Sequence, residues 1–65
     1  MDGIELRHRR EELGLSQSQF SALIGVPANT IARWERGTLR IAHPVLLQLA
    51  LDQIEHNRTT ESSRL

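Results

Sequence analysis

The chain contains no cysteine and no lysine, and it has no long apolar run. Without cysteine it can form no disulfide, no thiolate metal site and no cysteine nucleophile, and the cytoplasm is the expected compartment. Its longest apolar run, Val45–Leu47, is far shorter than the ~20 residues of a membrane helix. The first residues also lack the apolar stretch of a signal peptide. We therefore expect no membrane partner.

The chain also lacks an excess of either charge. Its formal net charge is +0 and its sequence pI is about 6.8, whereas a nucleic-acid-binding domain often has a pI above ~9. All 8 basic residues are arginine, and most of them precede residue 41. Because arginine makes bidentate contacts with bases and phosphates, a local DNA-binding face is compatible with this neutral composition.

Size and side-chain inventory argue against catalysis. With 65 residues, the chain is expected to form one small domain that buries only about 60% of its unfolded surface. Such a domain has little room for a substrate cavity of a few hundred Å³. No nucleophile, paired-carboxylate or phosphate-loop motif is recognisable, and the three histidines, His8, His43 and His56, are scattered. We predict no enzyme, no metal site and no cofactor.

Helix signals begin at the N-terminus. Asp2 and Glu5 have the spacing of a capping box, and Gly14 suits the left-handed position after a helix, so helix 1 is predicted from about Gly3 to Leu13. Leu6, Arg10 and Leu13 share one stripe of this helix. An arginine within an apolar stripe requires a partner.

Two short helices joined by a glycine turn follow. Ser16 and Gln19 form a second capping box, so helix 2 is predicted to begin at Gln17 and to stop at Gly25. Its predicted buried face consists of Phe20, Leu23 and Ile24. Helix 2 and the helix predicted after Gly25 together form a helix-turn-helix.

Helix 3 has two contrasting faces. Pro27 suits its first turn and Gly37 its end, which predicts a helix over about 27–36. At about 100° per residue, Ile31 and Trp34 lie toward the core, whereas Asn29 and Arg33 lie on the opposite side with Arg36. The polar face is thus predicted to be presented outward, and Trp34 is predicted to belong to the core.

A fourth helix is predicted from Pro44 to about residue 55 or 56. Its apolar residues cover roughly 240° of the circumference, well beyond the stripe of about 100° that one core contact needs. We expect the surplus surface to meet another chain. The predicted interface residues are Leu46, Leu49, Ala50 and Gln53. Residues 57–65 are polar and aperiodic, which predicts a disordered tail after a domain spanning 1–56.

This pattern resembles the lambda-repressor-like, Cro/CI or XRE-type helix-turn-helix family. The residues that carry the resemblance are Leu15-Ser16-Gln17, Phe20, Ile24-Gly25, Ile31 and Trp34-Glu35-Arg36-Gly37. The resemblance implies an all-α bundle of four to five helices, a recognition helix in the major groove and a dimer on a two-fold symmetric operator. It also implies an ion pair between Arg10 and Glu35, which agrees with the position of Arg10 in the stripe of helix 1.

The predicted DNA contacts fall into two groups. The base contacts are assigned to Ala28, Asn29, Thr30 and Arg33, because Asn pairs with adenine, Arg with guanine, and methyl groups with thymine. The phosphate contacts are assigned to Gln17, Arg36, Thr38 and Arg40. Two alternatives remain open. Arg33 contacts only phosphate in the first, and Gln17 or Arg40 is only solvated in the second.

The predicted function is that of a sequence-specific transcription regulator, most simply a repressor that binds a palindromic operator as a homodimer. The alternative is an antitoxin-type or other interaction module that uses helix 4, about residues 44–55, to hold a protein partner such as a toxin. A weaker resemblance to antitoxins, carried by His43-Pro44-Val45-Leu46-Leu47, favours that alternative.

Overall fold

The computed structural model describes the backbone of residues 1–63 and the side chains of residues 1–57. This part of the chain forms four helices and no strand. They are α1 (Gly3–Glu12), α2 (Gln17–Ile24), α3 (Ala28–Arg36) and α4 (Pro44–Ser63). The all-α prediction and the starts of α1, α2 and α4 are confirmed, whereas Pro27, predicted in the first turn of helix 3, precedes α3 as its N-cap residue.

Local signals in the sequence set the ends of the helices. The Asp2 carboxylate accepts a hydrogen bond of 2.8 Å from the backbone N–H of Glu5, and Ser16 and Gln19 form the full capping box of α2. Gly25 ends α2 and Gly37 ends α3, each with a left-handed backbone. A positive φ at these positions favours glycine, because it has no Cβ to clash with the backbone.

Every helix contributes at least one side chain to the core. Its most deeply buried members are Leu6 of α1, Phe20 of α2, Ile31 of α3 and Leu51 of α4. Trp34 is half-buried against this cluster rather than fully enclosed. The small core is consistent with the limited burial expected for a chain of this length.

Two features of the core differ from the sequence prediction. Leu23, predicted to be buried, is 59% exposed, because the core is reached by Phe20 on the neighbouring face of α2. Ile41, within the predicted loop, is buried in the core. The chain therefore supplies a core residue from irregular backbone, which helical periodicity cannot predict.

Helix α4 is longer than predicted. It continues to Ser63, because no glycine or proline follows Pro44 to end it. Residues 57–63 of the predicted disordered tail therefore continue α4, and residues 64 and 65 lie outside the described residues.

Candidate nucleic-acid interface

The outer face of α3 presents polar side chains in one line. Asn29, Arg33 and Arg36 are all exposed, while Ile31 on the opposite face is fully buried. Residues at i, i+4 and i+7 share one side of a helix. Ala28 and Thr30, the other predicted base contacts, are half-buried at the start of the same helix. The four residues predicted to contact bases thus lie within the first two turns of α3.

The arginines whose side chains the structure describes divide into a paired and an unpaired group. Arg7 pairs with Glu11, Arg9 with Asp52 and Glu55, and Arg10 with Glu35. Within the part of the chain that the structure describes, Arg33, Arg36 and Arg40 have no hydrogen-bonded or ionic side-chain partner. These three belong to α3 and to the loop that follows it. The chain as a whole is neutral, yet the unpaired arginines among the side chains of residues 1–57 are concentrated in one segment.

A buried ion pair holds α3 against α1. Arg10 Nε lies 2.8 Å from Glu35 Oε2, and Arg10 Nη2 donates to Glu35 Oε1 at 3.0 Å. Only 10% of the Arg10 side chain and 4% of the Glu35 side chain are exposed. Arg10 Nη1 also donates to the carbonyl oxygen of Leu15 at 2.7 Å. The pairing expected from the resemblance is therefore present, with bidentate geometry.

A third residue joins this pair. Gln17 Nε2 donates to Glu35 Oε1 at 3.1 Å. Burial of the Glu35 carboxylate acts to raise its pKa, but the hydrogen bonds from Arg10 and Gln17 outweigh burial and lower that pKa below its ordinary value. The hydrogen bond to Glu35 likewise raises the pKa of Arg10. Glu35 therefore stays ionised and fixes the Gln17 amide at the start of α2.

Two of the predicted phosphate contacts, Gln17 and Arg36, line an open polar recess of about 290 Å³ beside this pair, whereas Thr38 and Arg40 lie outside it. It is lined by Arg7, Arg10, Gln17, Ala32, Glu35 and Arg36. The backbone N–H groups of Gln17 and Ser18 open α2, where no carbonyl of the same helix can accept them. An anion such as a phosphate is favoured at such a helix start.

Thr38 is exposed just after α3, where it also makes a structural contact. Its hydroxyl lies 3.2 Å from the Arg33 carbonyl oxygen and donates to it, and its backbone N–H donates to the same oxygen at 3.0 Å. The hydroxyl hydrogen that a phosphate contact needs is thus already engaged. Thr38 closes α3 and directs the chain toward Arg40, which is exposed.

The second surface of interest is the outer side of α4. Leu46 and Leu49 are 64% and 59% exposed, whereas Leu47 and Leu51 of the same helix are buried. Beside Leu46 lies an open apolar groove of about 290 Å³ between α4, the end of α2 and Trp34. Helix α4 therefore has one apolar face in the core and a second that no described residue covers.

Comparison with known proteins agrees with this geometry. A family model described as helix-turn-helix matches residues 6–55. The chain belongs to the XRE-type, lambda-repressor-like helix-turn-helix family. No curated protein and no solved structure matches this XRE-type chain. Membership makes it a DNA-binding transcription regulator.

Other kinds of site receive no support among the described residues of this XRE-type chain. No group of three or more histidine and acidic side chains is placed to hold a metal ion in that part of the structure. No described helix has the length and apolar character needed to cross a membrane.

Sequence reasoning missed two polar contacts. The hydrogen bond between Gln17 and Glu35 joins residues from different helices, and no local spacing in the sequence predicts it. The contact of Arg9 with Asp52 and Glu55 likewise joins two helices that are distant in the sequence, α1 and α4. The i, i+3 spacing of the two carboxylates was visible, but it does not identify their partner.

Proposed function

We propose that this chain is a cytoplasmic repressor that binds a palindromic operator as a homodimer, with α3 of each copy in the major groove. The observation that carries this proposal is that the arginines left unpaired among the described side chains, Arg33, Arg36 and Arg40, all belong to α3 and the following loop. Asn29 and Arg33 supply the base contacts, supported by the methyl groups of Ala28 and Thr30. The neighbouring arginines, Arg36 and Arg40, contact phosphates and so position the protein on the DNA backbone.

The phosphate contacts of the proposal come from both sides of the recognition helix. Gln17, oriented by Glu35, and the free N–H groups of the first turn of α2 hold one phosphate. Arg36 and Arg40 hold others, while Thr38 shapes the loop between them. Since few phosphates are contacted by each copy, a monomer is expected to bind DNA weakly.

The test of this DNA face is the salt dependence of binding. We expect Arg40→Met to weaken binding to all duplexes alike and to reduce the slope of log K against log salt by about 1 per protomer. The measurement is fluorescence anisotropy with a labelled mixed-sequence duplex at several salt concentrations.

The matched control is Gln48→Glu, because Gln48 is exposed on α4 and the substitution changes the net charge by the same amount. If the two variants have the same salt slope as each other, Arg40 does not contact phosphate. A wild-type chain that leaves duplex DNA unbound at low salt contradicts the whole assignment.

The proposed dimer uses the uncovered face of α4. Leu46, Leu49, Ala50 and Gln53 lie at i, i+3, i+4 and i+7, which places them on one stripe. No Asp, Glu, Lys or Arg occurs between Arg40 and Asp52, so two copies of this face bring no like charges together. An uncharged apolar stripe is therefore compatible with contact between two identical chains.

We expect Leu46→Asp to raise the dimer dissociation constant at least about 100-fold, since two leucines that each contribute about 1.5–3 kcal/mol are lost. Because Leu46 is exposed in the monomer, the fold should persist. The measurement is sedimentation equilibrium, with circular dichroism as the check on folding.

Ile4→Asp is the matched control, because Ile4 is a 74% exposed apolar residue on α1. It should leave the dimer intact. A wild-type chain that stays monomeric at every concentration, or a Leu46→Asp variant with wild-type association, rules out this interface.

A protein partner on the same face is the second candidate function, and the apolar groove beside Leu46 and Trp34 favours it. An antitoxin-type module would place an apolar segment of a toxin there. Arg33→Met separates the candidates, because it should weaken operator binding at least about 30-fold but leave the affinity for such a partner unchanged.

A further inference from the structure

One arginine joins α1 to α4 through two carboxylates. Arg9 Nη2 lies 2.6 Å from Asp52 Oδ1 and 3.5 Å from Glu55 Oε2. The Arg9 side chain is 26% exposed, whereas the carboxylates are 62% and 64% exposed. The hydrogen bond to Asp52 raises the pKa of the Arg9 guanidinium. The contact is thus a partly shielded, charge-assisted bond between the first helix and the last.

The position of this contact along α4 allows it to fix the tilt of the helix. Leu47 and Leu51 anchor the first half of α4 in the core, and Ile54 packs against that cluster from the side. Asp52 and Glu55 lie at the end of this anchored part. Apolar burial is non-directional. The aliphatic stripe of α4 therefore keeps the helix attached to the core, but it opposes a change in the tilt of the helix less strongly. A hydrogen bond depends on angle and distance, and so it opposes such a change.

Helix α1 connects the recognition helix with α4. Two consecutive residues make the contacts, because Arg10 binds Glu35 of α3 and Arg9 binds Asp52 of α4. The angle between α3 and α4 is therefore constrained through one helix. In a dimer joined through α4, that angle sets the separation of the two recognition helices.

We infer that Arg9 is a positioning residue that sets the half-site spacing which the dimer accepts. This inference rests on the proposed operator-binding dimer. Arg9 contacts no DNA in it; its ion pairs with Asp52 and Glu55 hold α4 at one tilt. Two recognition helices about 34–36 Å apart then match half-sites one helical turn apart.

The test is a set of duplexes that carry the same two half-sites at separations increased or decreased by single base pairs. The measured quantity is the ratio of the affinity at the preferred spacing to the affinity one base pair away. In Arg9→Met we expect this ratio to fall about two- to fivefold, the range that corresponds to the loss of an exposed ion pair. The preferred half-site sequence should not change.

A second variant removes the partners instead. Asp52→Asn combined with Glu55→Gln should lower the spacing ratio as Arg9→Met does, although it raises the net charge by two units while Arg9→Met lowers it by one. General affinity for DNA should therefore move in opposite directions in the two variants while the spacing ratio moves in the same direction. Arg9→Lys should keep the wild-type ratio, because both carboxylates meet a single nitrogen of Arg9 and a point charge can replace it.

A wild-type spacing ratio in both the Arg9→Met variant and the Asp52/Glu55 double variant overturns the inference. The inference is also overturned if the spacing ratio changes in only one of these two variants, or if it moves in opposite directions in the two as their net charges do. These outcomes leave the proposed function standing if the wild-type chain prefers one spacing. A wild-type chain that binds two half-sites no better than one removes the proposed dimer and, with it, this inference.

Discussion

Replacing Arg33 with Met is expected to lower the affinity of the dimer for its operator at least about 30-fold. A bidentate contact with guanine contributes about 1–3 kcal/mol of discrimination, and the substitution removes two such contacts from a dimer. Arg33 is exposed and forms no bond through its side chain with a described residue, and Met is a good helix former. The fold should therefore be unaffected.

The measurement is a titration of the operator and of duplexes in which single G·C pairs are replaced. Wild type should lose affinity at one replaced position in each half-site, and Arg33→Met should no longer distinguish that position. Arg40→Met is the matched control, since it removes an arginine from the same surface and should retain the discrimination. If Arg33→Met weakens all duplexes equally and selects the same sequence as wild type, Arg33 contacts phosphate only.

Replacing Arg10 with Met is expected to destabilise the fold by about 3–5 kcal/mol, because the buried Glu35 carboxylate is then left without its counter-charge. A core in a chain of this size rarely supplies more than about 3–5 kcal/mol. A large fraction of the variant should therefore be unfolded at 25 °C. The measurement is urea unfolding followed by circular dichroism at a fixed protomer concentration, because association also stabilises the folded state.

Two companion variants show whether the unpaired charge is the cause. Arg7→Met should cost about 0.5 kcal/mol or less, because the pair of Arg7 with Glu11 is exposed and spans 3.6 Å. Arg10→Met combined with Glu35→Leu should be more stable than Arg10→Met alone, since no buried charge remains. An Arg10→Met variant within about 1 kcal/mol of wild type contradicts this account of the ion pair.

The parts of the fold that follow local rules were predictable from the sequence. The capping box of Ser16 and Gln19, and the left-handed glycines Gly25 and Gly37, depend on residues close together in the chain. The outward placement of Asn29 and Arg33 follows from helical periodicity alone. These features define the helix-turn-helix and its exposed face.

The parts that depend on contacts between distant segments were harder to predict. Periodicity does not tell which of several apolar residues reaches the core, so the exposure of Leu23 and the burial of Ile41 were missed. The hydrogen bond from Gln17 to Glu35 and the ion pair of Arg9 with Asp52 form only after the helices pack. Both contacts are assigned a part in orienting the DNA face only by the proposals made above.

The central claim, a sequence-specific dimer that reads DNA through α3, is tested most directly by selecting bound sequences from a random duplex library at about 0.1 M salt, where charge interactions between exposed groups are screened beyond ~10 Å. We predict recovery of a palindromic motif with its half-sites one helical turn apart. Recovery of no sequence above background would contradict the claim.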